Sequence, residues 1–139
     1  MQLNVFCDGG ARGNPGPAAT GFLIKDQKGK ILEKTGKFIG QTTNNVAEYQ
    51  AVIEALKWLK DNFRLTISSY QFFLDSKLIV NQLNGLFKIK NGKLRELVVE
   101  IRQLEQRVGG NVSYQFIKRE KNQEADQLVN QVLDQQFSS

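Results

Sequence analysis

Hydrophobic and polar residues alternate along the first forty positions of the chain. This period of two predicts strands over residues 3–8, 18–24 and 31–39. The segment 9–17 between the first two strands holds four glycines and two prolines, which disfavour helix and favour a tight turn. The three strands are therefore predicted to form an antiparallel meander.

After residue 43 the hydrophobic period alternates between that of helices and that of strands. In chain order the pattern predicts a helix over 44–61, a strand over 65–74, helices over 77–83 and 91–107, a strand over 112–116 and a last helix over 125–137. A strand, a helix and a second strand in succession imply parallel neighbours. The sequence thus predicts a single α/β domain over residues 1–139, with a mixed five-stranded sheet flanked by helices.

Four acidic residues stand at the ends or beginnings of these predicted elements. Asp8 and Asp75 come at the ends of strands, Glu48 falls in the second turn of a helix and Asp126 in the first turn of another. In α/β sheets ligands gather at the carboxyl ends of strands, so the four side chains are expected to converge. Clustered carboxylates repel one another unless cations lie between them, and their hard oxygen ligands suit Mg²⁺ or Mn²⁺. The pattern predicts a divalent metal site.

Each of these acids, taken alone, has a simpler explanation as a helix cap or as the partner of a helix dipole. Their combination favours the metal site. The chain has no histidine and a single cysteine, which excludes a zinc site and Ser-His-Asp chemistry. Cys7 is next to Asp8 but on the opposite face of the strand, so it is predicted to be a core residue rather than a nucleophile.

The chain carries a net charge of +5, which fits either a polyanionic partner or a surface charge that only keeps the protein in solution. The interval 76–95 contains five basic residues and no acid, so it is interpreted either as a path for phosphates or as a solvated face. No apolar run is long enough to span a membrane, and neither a signal peptide nor a disulfide is indicated. A cytoplasmic location is expected.

Four motifs follow one another along the chain: DGG at 8–10 with GNPG at 13–16, TNNVAE at 43–48, LDS at 74–76 and NQEADQL at 122–128. In these motifs the chain resembles the type 1 ribonuclease H family along nearly its whole length. The resemblance implies a ribonuclease H-like sheet ordered 3-2-1-4-5 and an endonuclease that hydrolyses the RNA strand of RNA–DNA hybrids, leaving 5′-phosphate and 3′-hydroxyl ends. It also implies that Asp8, Glu48, Asp75 and Asp126 hold two divalent ions, Mg²⁺ or alternatively Mn²⁺.

The same resemblance implies a set of substrate-binding residues. Asn14, Asn44 and Asn45 are expected at the minor groove of the hybrid, where amides bind 2′-hydroxyls and base edges. Turn and helix capping are their alternative roles. Thr43 resembles a residue that binds a phosphate of the DNA strand. The remaining members are expected to contact backbone phosphate or to leave room for it: Gly9, Gly10, Lys77 and Arg119.

The chain departs from many family members in two places. Residues 84–91 connect two helices without a basic, Trp-containing protrusion, and the loop before Asp126 has no histidine. Both features resemble the short archaeal-type subgroup, which also occurs in bacteria. Arg119 is then hypothesised to hold the scissile or product phosphate. Glu120 is interpreted either as a titrating group or as a solvent-facing acid.

Two other functions stay open at this point. A nucleic-acid-binding module that does not cut keeps the same fold, although all four acids are present. A phosphohydrolase of small phosphate esters explains the acids but not the asparagines or the basic interval. The favoured prediction is a monomer that acts on RNA–DNA hybrids and needs no obligatory protein partner.

Overall fold

The structure is a computed structural model that describes residues 1–63 and 67–137. Within these residues, five strands form one sheet and four helices flank it. The strands are β1 (Gln2–Ala11), β2 (Gly16–Lys25), β3 (Ile31–Thr42), β4 (Ser69–Leu74) and β5 (Asn111–Phe116), and the helices are α1 (Asn44–Phe63), α2 (Lys77–Leu83), α3 (Gly92–Val108) and α4 (Gln123–Phe137). A short 3-10 helix, Arg119–Lys121, precedes α4.

The sheet order β3-β2-β1-β4-β5 confirms the predicted mixed topology. β1 pairs antiparallel with β2, and β2 pairs antiparallel with β3, because short turns connect them. β1, β4 and β5 run parallel, because helices connect them. β1 therefore lies where the direction of the sheet changes, with the carboxyl ends of β1 and β4 at the same edge.

The two faces of the sheet are covered unequally. α1, α2 and α3 lie on one face above a large core, whose biggest fully buried side chains include Tyr49, Tyr70, Phe72, Ile53 and Leu56. Cys7 is buried in this core, as predicted. Of the described helices, α4 is the one that packs on the other face, over a small core of Ala19, Val129 and Leu133 with Val132 against it.

β1 differs from its prediction at the carboxyl end. The pattern placed the end of the strand at Asp8, which is wrong, because the next three residues pair with β2 and the strand continues to Ala11. The parallel pairing with β4 stops earlier, at Phe6 and Phe73. Asp8 therefore lies where β1 loses one of its two neighbours rather than where the strand ends.

The other predicted bounds differ by a few residues. β3 runs on to Thr42 because a bulge at Ile39 and Gly40, where Gly40 has a φ of 82°, lets the pairing with β2 resume. β4 begins at Ser69, and the predicted start at Leu65 lies outside the described residues. None of the helices in the described part of the chain combines the length and apolar character needed to cross a bilayer.

Candidate active site

Three carboxylates from different elements meet at the carboxyl edge of the sheet. Asp8 lies in β1, Glu48 in α1 and Asp75 directly after β4, and one oxygen from each lies within 4.8 Å of the other two. Asp126, in the first turn of α4, lines the same cavity of about 470 Å³. The structure therefore brings the four predicted acids to one cavity, with three of them closely grouped.

The close approach of α1 to β1 depends on Gly9. A Cβ built on this residue lies 2.2 Å from the carbonyl oxygen of Ala47 and 2.5 Å from the backbone nitrogen of Glu48. The helix backbone occupies the space that a side chain needs, and this contact holds Glu48 near Asp8. At Gly10 the nearest atom is 3.7 Å away, an ordinary contact distance. Both glycines line the cavity, but the room beside Gly9 is filled by the protein itself.

Burial and mutual repulsion raise the pKa of two of these carboxyls. Burial is the largest cause of the rise in the pKa of Asp8 to about 8, followed by the charges of the other three acids. The pKa of Glu48 rises to about 7 through burial and then the charge of Asp75, while a hydrogen bond from Ser76 and the charge of Arg119 oppose the rise. Carboxyls in this state hold protons, which a bound divalent cation displaces.

Ser76 links the turn that carries Asp75 to both α2 and Glu48. Its Oγ accepts a hydrogen bond from the Ile79 amide at 3.3 Å and so caps α2. The same hydroxyl donates to Glu48, a contact that the sequence did not predict. One short hydroxyl side chain thus ties the α1 acid to the β4 end.

Two asparagines in contact with the acids were missed at the sequence level. Asn122, in the last of the four motifs, donates from Nδ2 to the Cys7 carbonyl oxygen at 2.8 Å and to Asp75 Oδ2 at 3.3 Å. Asn130 donates from Nδ2 to Asp126 Oδ2 at 3.2 Å. Its spacing of four residues after Asp126 on a helix is the sequence signal that predicts this contact.

The asparagines predicted to bind substrate hold the β1–β2 turn against the start of α1. Asn44 Oδ1 accepts from the Ala11 amide at 2.8 Å, and Asn14 Oδ1 accepts from the Asn44 amide at 3.0 Å. Thr43 caps α1, because its Oγ1 accepts from the Val46 amide at 3.2 Å. Asn44 therefore does not cap α1, but the turn part of its alternative role holds, because its side chain binds the Ala11 amide at the start of the β1–β2 turn. The Nδ2 groups of Asn14 and Asn44 have no hydrogen-bond partner within the described residues.

A second depression, of about 360 Å³, contains the other predicted polar ligands. Thr43 and Asn45 line it together with Asn14, Asn91 and Lys93. Asn91 caps α3 through a hydrogen bond from the Leu94 amide to its Oδ1 at 3.0 Å. Asn91 and Lys93 were not predicted as site residues, although Lys93 belongs to the basic interval.

The predicted basic ligands lie in different places. Arg119 begins the 3-10 helix and lines the acid cavity, so the loop before α4 turns toward the acids. Lys77 begins α2, and its Nζ lies 5.2 Å from the centre of the Phe116 ring, outside the lining of the acid cavity. Glu120 lines a different depression. The five basic residues of the interval 76–95 are exposed along α2, the connection after it and the start of α3.

Arg12 is a second arginine at the acid cavity that the sequence analysis missed. It lines the cavity from the β1–β2 turn. It forms an ion pair with Asp134 of α4, and its guanidinium carbon lies 5.8 Å from the centre of the Phe137 ring. The cavity is therefore acidic at its centre and carries a guanidinium from each of two loops.

The ligand atoms in the cavity fit a hard divalent cation. Three carboxylate oxygens lie within 4.8 Å of one another, and a fourth carboxylate lines the same cavity. Carboxylates of this kind suit Mg²⁺ and Mn²⁺. Burial and then the charges of the other acids raise the pKa of Asp8, and a cation relieves both effects.

Comparison with known proteins agrees with the fold. Residues 6–132 match the family described as "Reverse transcriptase-like". The bifunctional protein Rv2228c of Mycobacterium tuberculosis is 35% identical over 135 residues, which cover 96% of this chain and 36% of that protein. Ribonuclease HI of Halobacterium salinarum is 36% identical over 135 residues, which cover 96% of this chain and 65% of that protein. The chain thus spans between a third and two thirds of the length of these relatives.

Among solved structures, LC11-RNase H1, isolated from compost, was crystallised in complex with an RNA/DNA hybrid. It is 43% identical to this chain and superimposes with a TM-score of 0.93, covering 98% of this chain and 99% of its own. The sheet order and the acids at its carboxyl edge define a ribonuclease H-like domain. With the relatives above, the chain belongs to the type 1 ribonuclease H family, which is metal-dependent.

Proposed function

We propose that this domain is an endoribonuclease that hydrolyses the RNA strand of RNA–DNA hybrids with two divalent ions, Mg²⁺ or Mn²⁺. The products are 5′-phosphate and 3′-hydroxyl ends. The observation that carries the proposal is the meeting of Asp8, Glu48, Asp75 and Asp126 in one cavity of a ribonuclease H fold. The crystal complex of LC11-RNase H1 with an RNA/DNA hybrid supports the choice of substrate.

The four acids have the role of holding the ions. Held by these four carboxylates, divalent ions would supply polarisation of the scissile phosphate, activation of a water for in-line attack and stabilisation of the leaving oxygen. Asp8 is central among the ligands, because the charges of all three other acids act on it. Glu48 and Asp75 complete the tight group, and Asp126 adds its carboxylate from α4.

The asparagines and threonine at the start of α1 have the role of holding the hybrid. Asn14 and Asn44 each offer an Nδ2 group that the described protein leaves free, which suits 2′-hydroxyls and base edges of a minor groove. Thr43 and Asn45 share their depression with Lys93, so a phosphate of the DNA strand finds both hydroxyl and ammonium donors there.

The glycines and basic residues complete the proposed substrate contacts. Gly9 and Gly10 line the cavity with backbone, and a Cβ at Gly10 would make only ordinary contacts, the nearest at 3.7 Å. Arg119 lies at the cavity and is proposed to hold the scissile or product phosphate, with a charge that is fixed at ordinary pH. Lys77 is proposed to contact backbone phosphate from the start of α2.

Cleavage of labelled substrates tests the proposed function. The protein is incubated with an RNA–DNA hybrid, double-stranded RNA, duplex DNA or a small phosphate ester, in Mg²⁺, in Mn²⁺ or in excess chelator. We expect cleavage of the RNA strand of the hybrid that requires metal and leaves 5′-phosphate ends. Intact hybrid under all conditions, with binding retained, would instead identify a binding module, and hydrolysis of small phosphate esters alone would identify the other alternative.

Three further expectations belong to this proposal. The described elements are expected to fold as one ribonuclease H catalytic domain over residues 1–139. The protein is expected to be a monomer without an obligatory protein partner, and to act in the cytoplasm. Sedimentation of the pure protein tests whether it is a monomer, and cell fractionation tests whether it is cytoplasmic.

A further inference from the structure

Asn122 is a buried carboxamide at the junction of β1, β4 and α4. It immediately precedes α4, and its side chain is 1% exposed. An asparagine at this position is usually a helix cap, whose side-chain oxygen accepts from a backbone amide of the first turn. Asn122 does not have this role, because its Oδ1 has no hydrogen-bond partner in the described structure.

The nitrogen of the same carboxamide is fully used. Its two hydrogens are donated to the carbonyl oxygen of Cys7 at 2.8 Å and to Asp75 Oδ2 at 3.3 Å. A rotated carboxamide would bring Oδ1 against these two acceptors, so the orientation is determined by its neighbours. A buried oxygen without a partner costs free energy. The orientation of the side chain therefore satisfies both Nδ2 hydrogens and leaves the Oδ1 acceptor unpaired.

The backbone of Asn122 connects the same residue to the rest of the cavity. Its amide donates to the Arg119 carbonyl oxygen at 2.9 Å, and its carbonyl oxygen accepts from the Asp126 amide at 3.1 Å. Cys7, the side-chain partner, is the residue before Asp8. One residue thus contacts Asp75 directly and the backbone at or beside Asp8, Asp126 and Arg119.

We propose that Asn122 is a positioning residue for the metal ligands, acting through the Asp75 carboxylate and through the spacing of β1, β4 and α4. The inference rests on the proposed function of the cavity. Removal of the carboxamide leaves Asp75 Oδ2 and the Cys7 carbonyl without their donor. Asp75 is then free to rotate, and α4 loses its side-chain link to β1. Ion binding and turnover weaken, whereas the surfaces that contact the hybrid away from the cavity are unchanged.

The test compares Asn122→Ala with Asn84→Ala. Asn84 also donates a carboxamide hydrogen to a backbone carbonyl, that of Tyr114 at 3.2 Å, but it lies at the end of α2 and does not line the acid cavity. Binding of Mn²⁺ to the substrate-free protein is measured by calorimetry, and kcat and KM are measured on a labelled hybrid. For Asn122→Ala we expect Mn²⁺ affinity and kcat to fall about 10- to 100-fold, with little change in KM. Asn84→Ala is expected to keep the Mn²⁺ affinity and the kcat of the wild type.

Asn122→Ser provides the second variant if the alanine variant does not fold, since its hydroxyl keeps a polar group in the pocket but lies one bond short of the Nδ2 position that reaches Asp75. It is expected to bind Mn²⁺ more weakly than Asn84→Ala does. Mn²⁺ affinity and kcat equal to those of the wild type in either folded Asn122 variant would overturn the proposal and leave Asn122 as a structural residue. The calorimetric measurement uses no substrate, so it decides the role of Asn122 even if the wild type fails to cleave hybrids.

Discussion

The two faces of the sheet hold their acids in different ways. Glu48 lies on α1, which packs on the large core and touches the backbone of Gly9 directly. Asp126 lies on α4, which packs on a small core and receives polar contacts from Asn122 and Asn130. The comparison indicates that packing of α1 on the large core fixes Glu48 beside β1, whereas hydrogen bonds contribute more to the positions of Asp126 and Asp75.

The largest effect on cleavage is expected for Asp8 and Asp75, the two acids that the sheet itself carries between its two faces. Asp75→Asn and Asp8→Asn each replace an anionic ligand by an amide of the same size. Loss of several kcal/mol of transition-state stabilisation lowers cleavage by about 1,000-fold or more, while hybrid binding stays largely intact. Cleavage rates and gel-shift affinities are measured beside Asp61→Asn, a change in an exposed acid at the end of α1. Near-wild-type cleavage by folded Asp8→Asn or Asp75→Asn would disprove the four-acid site.

Gly9→Ala is expected to disrupt the packing of α1 against β1. The added methyl overlaps the Ala47 carbonyl oxygen, so α1 must move away from β1 and Glu48 moves with it. We expect the free energy of unfolding to fall by about 3 kcal/mol. Gly10→Ala is the matched control for stability, because its Cβ has no atom nearer than 3.7 Å. Equal urea midpoints for the two variants would show that the Gly9 contact is not a constraint.

Metal-free stability is expected to depend on pH through Asp8. Its pKa of about 8 in the folded protein lies above the ordinary 3.8, so the folded state holds a proton that the unfolded chain releases between these values. The free energy of unfolding therefore falls as the pH rises from about 4 to 8, by on the order of 5 kcal/mol. Urea unfolding in chelator at several pH values measures this. Asp8→Asn should flatten the profile, and millimolar Mg²⁺ or Mn²⁺ should restore stability at pH 8 in the wild type but not in this variant.

Truncation of one leucine on each side compares the two cores directly. Leu56→Ala in the large core is expected to lower the free energy of unfolding by about 4 kcal/mol, and Leu133→Ala under α4 by about 2 kcal/mol. The second value is smaller because fewer neighbours surround Leu133 and α4 can move to fill the cavity. Chemical denaturation gives both values. If Leu133→Ala proved the costlier change, the small core would be holding α4 more firmly than its composition indicates.

The smallest effect is expected for Arg119→Ala. Loss of one charged phosphate contact is worth about 1.5 kcal/mol, or about tenfold in turnover, with a smaller change in hybrid affinity. Steady-state kinetics from pH 5 to 9 should also show no step from a histidine, since the chain has none. Arg107→Ala, at the exposed end of α3, controls for loss of charge. Unchanged turnover in Arg119→Ala would make this arginine a simple surface charge.

Much of the fold was predictable because the hydrophobic period changes cleanly between elements. The sheet order came from the family resemblance, and the convergence of the acids followed from their predicted positions at strand ends and in early helical turns. What the sequence did not show depends on contacts between distant residues. The continuation of β1 past Asp8 requires β2 as its partner, and the donor role of Asn122 requires both Cys7 and Asp75. A local pattern contains no information about such partners.

The unequal length of two neighbouring strands has a consequence for how such a site is gained or lost. β1 contains ten residues and β4 contains six, and both begin at the same level of the sheet. The acid cavity occupies the place that a longer β4 would take beside Asp8 and the residues after it. Two residues inserted after Leu74 would extend β4 into this gap and displace Asp75, with every carboxylate still present. Strand length, as well as the identity of the acids, therefore decides whether a chain of this fold has room for a substrate.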